Sequence, residues 1–422
     1  MGKNARKKNS NQGRTASGQR TLRLASVIRR NLYAFVIQEG MKALDQVLVE
    51  DQENLCGPRH AKGRPGEAVR WGSTDGRLSM GGRRVVVKRP RVRRNGEEVA
   101  LPSWEEFGDN DPLDERTVEQ MVLGVSTRGY ARSVEELPDD LEPHGASKSA
   151  ASRRFVAKTK GRVEEWTHRD LSKMGIAVIM LDGIEIADQM MIVALGIDES
   201  GTKHPLGTWL GSTENSTVCG GLLDDLVERG LDSQYRRLFV VDGSKALRKA
   251  IRERFGRRAL VQRCQEHKRR NVLGYLPKKL HASVSKTMRD AYGSKSKATA
   301  KRRLLQLAAH LAGDHPDASS SLKEGLDETL TLKDMGLLQS LERTLSTTNP
   351  IENLNSSIRR TTRRVRRWRD GKMIKRWVAT ALMEAQRGFR RLRGYKGMPA
   401  LIAALTKNAE RIDRVDADEV AA

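Results

Sequence analysis

Long apolar runs are missing from this chain of 422 residues. No stretch of about 18 consecutive apolar residues occurs, which excludes a membrane-spanning helix. Cysteine is nearly missing too. Cys56, Cys219 and Cys264 are too few for a disulfide framework and fit a reducing compartment, so a cytoplasmic protein is expected. The basic start MGKNARKKNS has no apolar core behind it, so no signal peptide is read there. Acids are in deficit: 53 Asp and Glu stand against 78 Lys and Arg, a formal net charge of +25. With a pI near 10.2, nucleic acid becomes the leading partner and an anionic membrane surface its competitor. Hydrophobic residues make up only 37% but cluster in segments able to form cores.

Residues 1–20 read as a disordered basic tail. Over 21–68 a helix carrying Leu24, Ile28, Leu32, Phe35, Val36, Leu44 and Leu48 precedes a Gly/Pro linker. It serves either dimerisation or interdomain packing, or is an ordinary core helix. Residues 69–111 read as a small β-rich region with turns at Asp75-Gly76 and Gly81-Gly82, and Pro90 argues against a central strand beyond it. Residues 112–168 read as three short helices with a Gly-containing turn and a basic last helix capped by Ser147, as in a helix-turn-helix. Lys148, Arg153, Arg154 and Lys158 of that last helix are the candidate DNA contacts; small three-helix units that bind no DNA share the pattern.

The character changes over 172–270. Strands are expected at Gly175–Leu181, Met190–Ile197, Leu206–Gly211, Arg237–Val241 and Ala259–Gln262, with helices over Glu214–Arg229 and Ser244–Phe255. Three antiparallel strands followed by βαβ units describe an α/β mixed sheet with helices on its faces. Residues 271–346 show no strand and read as an all-helical insertion. The core resumes over 347–395, and 396–422 reads as a C-terminal tail whose last residues, with Asp413, Asp416, Asp418 and Glu419, are acidic and frayed.

Two acids, Asp182 and Asp242, each follow a short apolar strand and precede a glycine. Functional crevices of open sheets lie at strand ends, so neighbouring strands would bring both carboxylates together. Hard oxygen ligands there suit Mg²⁺, and two such ions can drive phosphoryl transfer. An Asp-Gly after a strand is equally often only a turn. The third acid is Glu352, in TTNPIENLNSSIRRTTRRVRRWR. Asn349 is expected to cap a helix, Pro350 to open it, and Glu352 to lie in its first turn. Arg359, Arg360, Arg363, Arg364, Arg366, Arg367 and Arg369 follow, read as a DNA-facing continuation of that helix. The plain alternative is a capping-box glutamate beside a solvated basic face. Cys264 and His267 stand at C-x-x-H spacing; with no second ligand pair, an active-site-ordering role is favoured over structural zinc.

These blocks, taken in order, resemble the mutator-type DDE transposases of bacterial insertion sequences. LDGIEI around Asp182, VVDGSKALRKAI around Asp242, RCQEHKRRN with Cys264 and His267, and STTNPIENLNSSIRR with Glu352 carry the resemblance, and GVSTRGYARSVEEL is similar to the family's N-terminal DNA-binding region. It spans about residues 65–395; the first 65 residues match poorly. A tryptophan frequent in the family's helix after the third strand is missing around Cys219. The resemblance implies a ribonuclease H-like core split by the insertion, with Asp182, Asp242 and Glu352 holding two Mg²⁺ ions, for which Mn²⁺ could substitute. It further implies binding of terminal inverted repeats and target DNA, strand cleavage and strand transfer, action as a homodimer or higher oligomer, and a nucleoid-associated bacterial location. The competing function is a catalytically inactive or domesticated DNA-binding repressor of the same fold. A nuclease without joining activity would use the same carboxylates.

Overall fold

The computed structural model describes residues 32–59, 68–80, 83–109, 112–134, 144–211, 213 and 215–421. The expected basic tail, Leu24, Ile28, the Gly81-Gly82 turn, and Leu137 with Pro138 lie outside these residues. The chain forms two compact units, Met1–Thr159 and Lys160–Ala422.

In the first unit, α1 (Leu32–Cys56) is followed by a sheet of β1 (Val69–Met80), β2 (Arg83–Arg94) and β3 (Glu97–Val99), ordered β1-β2-β3. Leu44 and Leu48 of α1 pack with Leu78, Val85, Val87 and Val92, while Leu32, Phe35 and Val36 are exposed. Two expectations are corrected. Asp75-Gly76 is no turn: β1 runs through it, pairing with Lys88 and Val87. Pro90 does lie in the central strand, opposite Ser73, beside a register shift at Arg70/Ser73. The third strand pairs only with Val92–Arg94, so at Pro90 the strand has a neighbour on one side alone, an edge-like position that tolerates proline. Helices α2 (Pro102–Asp109), α3 (Pro112–Val122) and α4 (Lys148–His168) follow. Between α3 and α4 the described residues hold one short 3₁₀ turn, Tyr130–Arg132, in place of the expected second helix. Ser147 caps α4 through the Ala150 N–H (3.3 Å), as its sequence position suggests.

The second unit is built on five strands: β4 (Ile176–Ile186), β5 (Gln189–Asp198), β6 (Lys203–Gly211), β7 (Arg237–Val241) and β8 (Ala259–Arg263). Their order is β6-β5-β4-β7-β8, with the first three antiparallel and the β4/β7 and β7/β8 pairs parallel. This is a mixed α/β sheet, and α5 (Ser216–Glu228) and α6 (Lys245–Phe255) supply the crossovers. Alternation sorts the strands into two cores. Ile179, Leu181, Phe239 and Val241 meet Leu222, Leu226 and Ile251 on one face. Met180, Ile184 and Val240 meet Ile351, Leu354 and Ile358 on the other.

Between β8 and the residues of that second face stands an all-helical segment: α7 (Gln265–Gly274), α8 (Lys278–Tyr292), α9 (Lys297–Leu311), α10 (Pro316–Lys323) and α11 (Gln339–Leu345). It has its own core of Val272, Met288, Leu304, Leu311 and Leu322. Buried Gln262 and half-buried Gln265 donate to the Thr329 carbonyl (3.0 and 2.8 Å), fixing the returning chain to the end of β8. Then come α12 (Asn349–Thr362), α13 (Gly371–Arg387) and α14 (Met398–Ala421). The expected C-terminal tail is therefore a helix, and its assigned span includes the end expected to fray. Met398, Leu401 and Leu405 recur at helical spacing and are buried in the sheet's core.

Candidate active site

β4 and β7 run parallel, with Val178 beside Leu238 and Met180 beside Val240. Each partner lies 60 positions further along the chain, as Asp242 does from Asp182. Asp182, within β4, and Asp242, just past β7, thus each stand two residues beyond the Met180/Val240 pair. Met180, two residues before Asp182 in the same strand, faces the α12 core, so alternation turns Asp182 toward α12. Asp242 follows the last residue of β7, as its sequence context suggests. Asp182 does not end its strand: β4 continues to Ile186, with Asp182 paired to Val193 and Gly183 to Ile192. The apolar run stops there because beyond Asp182 only one face of the strand stays covered, with Ile184 and Ile186 buried and Glu185 exposed.

Helix α12 brings the third acid. It begins one residue earlier than expected, with Thr348 rather than Asn349 at the cap position and Pro350 in the first turn. Glu352 is then the fourth helical residue, and the capping-box reading, which needs the third, fails. Its backbone N–H donates to the Thr348 carbonyl (3.0 Å) and its Oε1 accepts from the Thr348 hydroxyl (2.7 Å). One turn on, buried Asn355 donates from Nδ2 to Asp182 Oδ2 (2.8 Å). On the other strand, the Ser244 N–H donates to Asp242 Oδ1 (2.9 Å). Each carboxylate is thus held by one oxygen, while the second makes no hydrogen bond to the described residues. Asn355 Oδ1 is likewise buried without a partner.

Asp182 senses the other two acids. Burial first, and then the Asp242 carboxylate, push Asp182 up from 3.8 to about 6; Glu352 adds to this, while His267 and Asn355 oppose it. Gly243 allows the tight turn after Asp242: its φ is +114°, and a Cβ there would collide with the Arg263 guanidinium.

Cys264 and His267 lie beside this cluster. The Cys264 N–H donates to the Val241 carbonyl (2.8 Å), and Cys264 caps α7, its Sγ accepting from the His267 N–H (3.5 Å). The Thr348 N–H also donates to Sγ (3.4 Å). Burial pushes the Cys264 thiol up, but hydrogen bonds from His267 and Thr348 outweigh it and draw it below its ordinary value. The hydrogen bond to Cys264 raises His267, helped by the Glu352 and Asp242 carboxylates and opposed by burial. His267 Nδ1 stands 3.8 Å from Glu352 Oε1.

Free oxygens on mutually repelling carboxylates are a donor set that suits a hard divalent cation. The cage is not closed: among the described residues no three His, Cys, Asp or Glu side chains stand together as a ready metal site. Glu352 is turned toward Thr348 and His267 instead.

The arginines after Glu352 are exposed, but their path differs from expectation. Only Arg359 and Arg360 belong to α12, Arg363 ends it, and Arg364, Arg366, Arg367 and Arg369 follow in a loop before Asp370 caps α13. Like charges one helical turn apart (Arg359/Arg363, Arg360/Arg364 and Arg363/Arg367) disfavour a continued helix. In the first unit, Lys148 and Arg153 of α4 are exposed. Lys158 pairs with Glu115 (3.1 Å), and Arg154 donates to the Gly145 carbonyl.

Fold and site define an α/β protein with one acid on the central strand of a mixed sheet, a second just past the neighbouring strand, a third on a helix packed on that sheet, and an exposed arginine loop on the same unit. The chain belongs to the Mutator family of transposases, whose family model matches residues 22–391. The match takes in the N-terminal helix that sequence reading left outside the resemblance. The chain is 30% identical, over 71% of its length and 76% of the relative's, to the transposase for insertion sequence element IS256 in transposon Tn4001 of Staphylococcus aureus. It is 27% identical to the transposase for IS6120 of Mycolicibacterium smegmatis, over 56% of this chain and 72% of that one. With the transposase for IS406 of Burkholderia multivorans it shares 29% identity, over 58% and 63%. It is thus a nucleic-acid-processing enzyme by family. No helix among the described residues is long and apolar enough to cross a membrane.

Proposed function

We propose that the protein binds the terminal inverted repeats of an insertion sequence and catalyses metal-dependent strand cleavage and strand transfer. The observation that carries this reading is Asp182 and Asp242, each two residues past the Met180/Val240 pair, with the Asp242 and Glu352 charges both felt by Asp182 and each carboxylate keeping one oxygen with no hydrogen bond from the described residues. The strand order, with helices on both faces and a helical insertion before Glu352, supports a ribonuclease H-like catalytic core.

Asp182, Asp242 and Glu352 would hold two Mg²⁺ ions, or Mn²⁺ in their place. Bound there, such ions activate a water or a DNA 3′-hydroxyl and stabilise the leaving oxygen of an in-line displacement. The chain's own residues do the rest. Asn355 and Ser244 hold one oxygen of each aspartate, which aims the other. Arg359, Arg360, Arg363, Arg364, Arg366 and Arg367 would grip phosphates, which positions DNA without reading its sequence. Lys148 and Arg153, on a helix-turn-helix-like region, would contact the element's ends. Lys158 and Arg154 would join them only by giving up their internal partners. The working form would be a homodimer or higher oligomer on double-stranded DNA, in a cytoplasmic, nucleoid-associated setting.

The test is a joining assay with purified full-length protein, Mg²⁺ and DNA carrying the element's ends. Wild type nicks and joins; Asp182→Ala and Asp242→Ala do neither. Variants that nick and join at the wild-type rate would remove both acids from the chemistry. Wild-type binding without nicking would favour the repressor reading, and nicking without joining a nuclease.

A further inference from the structure

Thr348 is fully buried at the start of α12, where a threonine normally spends its hydroxyl on an N–H of the first helical turn. Here it makes no such bond. Its Oγ1 instead lies 2.7 Å from Glu352 Oε1, 3.2 Å from His267 Nδ1 and 3.4 Å from Cys264 Sγ. A hydroxyl has one proton, and an ionised carboxylate can only accept. The shortest of the three contacts is to Glu352, so the proton belongs there. Oγ1 keeps lone pairs to accept from His267 Nδ1–H. The Thr348 N–H, meanwhile, donates to Cys264 Sγ.

We infer that Thr348 is a positioning residue that locks the Glu352 carboxylate to the Cys264/His267 pair, holding Oε1 so that Oε2 stays available to a divalent cation. This rests on the carboxylate reading given above. It also gives the C-x-x-H pair a physical task without zinc. Cys264 fixes the Thr348 backbone, His267 orients the hydroxyl, and the hydroxyl sets the glutamate. The same side chain thus joins the end of β8 to the start of α12, 84 positions apart.

Groups of this kind, one step removed from a metal, typically cost about 10–100-fold in metal affinity when lost. The experiment is Mn²⁺ binding to full-length protein, followed by electron paramagnetic resonance of the free ion, with Tm measured alongside. Thr348→Val, which keeps the shape and removes the hydroxyl, is expected to weaken binding about tenfold or more. Thr348→Ser, which keeps the hydroxyl, is expected to bind within about twofold of wild type, well short of such a loss. Serine losing as much as valine would show that packing, not the hydroxyl, matters, and would overturn the inference even if the valine variant folds poorly. Valine binding like wild type, while Glu352→Gln does not, would overturn it alone. Glu352→Gln and Asp182→Asn both binding like wild type would overturn the carboxylate reading and this inference with it.

Discussion

Asp182 and Asp242 each stand two residues past the paired Met180 and Val240 of two parallel strands, Asp182 still within β4 and Asp242 just beyond β7, in a five-stranded mixed sheet. Their closeness is unfavourable in the protein alone, because burial and the neighbouring charge both penalise the ionised Asp182. Such a site exchanges stability for a place where positive charge is welcome.

That exchange has a pH signature in metal-free protein. The folded value of Asp182, about 6, lies above its ordinary 3.8, so the native state binds the proton more tightly than the unfolded chain. The resulting stabilisation is complete below about pH 4 and lost as pH rises through 6. Asp182→Asn removes the ionisation. It is expected to be more stable than metal-free wild type at pH 8, by up to about 3 kcal/mol, with the difference closing near pH 4. Urea denaturation at the two pH values measures this. Mg²⁺ should raise the wild-type Tm and leave that of Asp182→Asn nearly unchanged.

Asn355 is buried and its Nδ2 donates to Asp182 across 173 positions of sequence. Asn355→Leu removes that donor from a buried carboxylate, which costs about 1–3 kcal/mol. Asn355→Asp should be worse, since it sets another carboxylate against Asp182. Chemical denaturation at pH 7 gives the order, and a leucine variant as stable as wild type would remove the bond from the account.

Cys264 Sγ accepts from the backbone N–H groups of Thr348 and His267. Cys264→Ala leaves both without that partner in a buried place and is expected to destabilise the protein by about 1–3 kcal/mol. Cys264→Ser keeps an acceptor and should recover most of the loss. Thermal unfolding of the two variants decides this.

The arginine loop and α4 should respond differently to alanine. Arg364, Arg366 and Arg367 are exposed. Replacing each is expected to leave Tm unchanged, to weaken DNA binding uniformly across sequences, and to reduce the salt slope by about 1. Arg154 donates to the Gly145 carbonyl, so Arg154→Ala should lower Tm as well. Fluorescence anisotropy over a salt series, beside unfolding curves, separates the two behaviours.

What the sequence determined by itself was local. Apolar β-branched runs such as RLFVV mark strands because a strand covered on both faces needs apolar residues throughout. Leucines at helical spacing mark the insertion for the same kind of reason. The ordered blocks around Asp182, Asp242, Cys264 and Glu352 marked the family before any geometry was known. Helix ends were less legible, since Thr348, at the cap position in place of Asn349, bonds to Cys264, which lies 84 positions away. Only the tertiary structure decided that β4 and β7 are neighbours, because strand pairing is a contact between distant segments and a spacing of 60 residues carries no register. It also decided what Thr348 and Asn355 do. Neither is an acid, a histidine or a cysteine, and their chemistry appears only when α12 is laid across the ends of the strands.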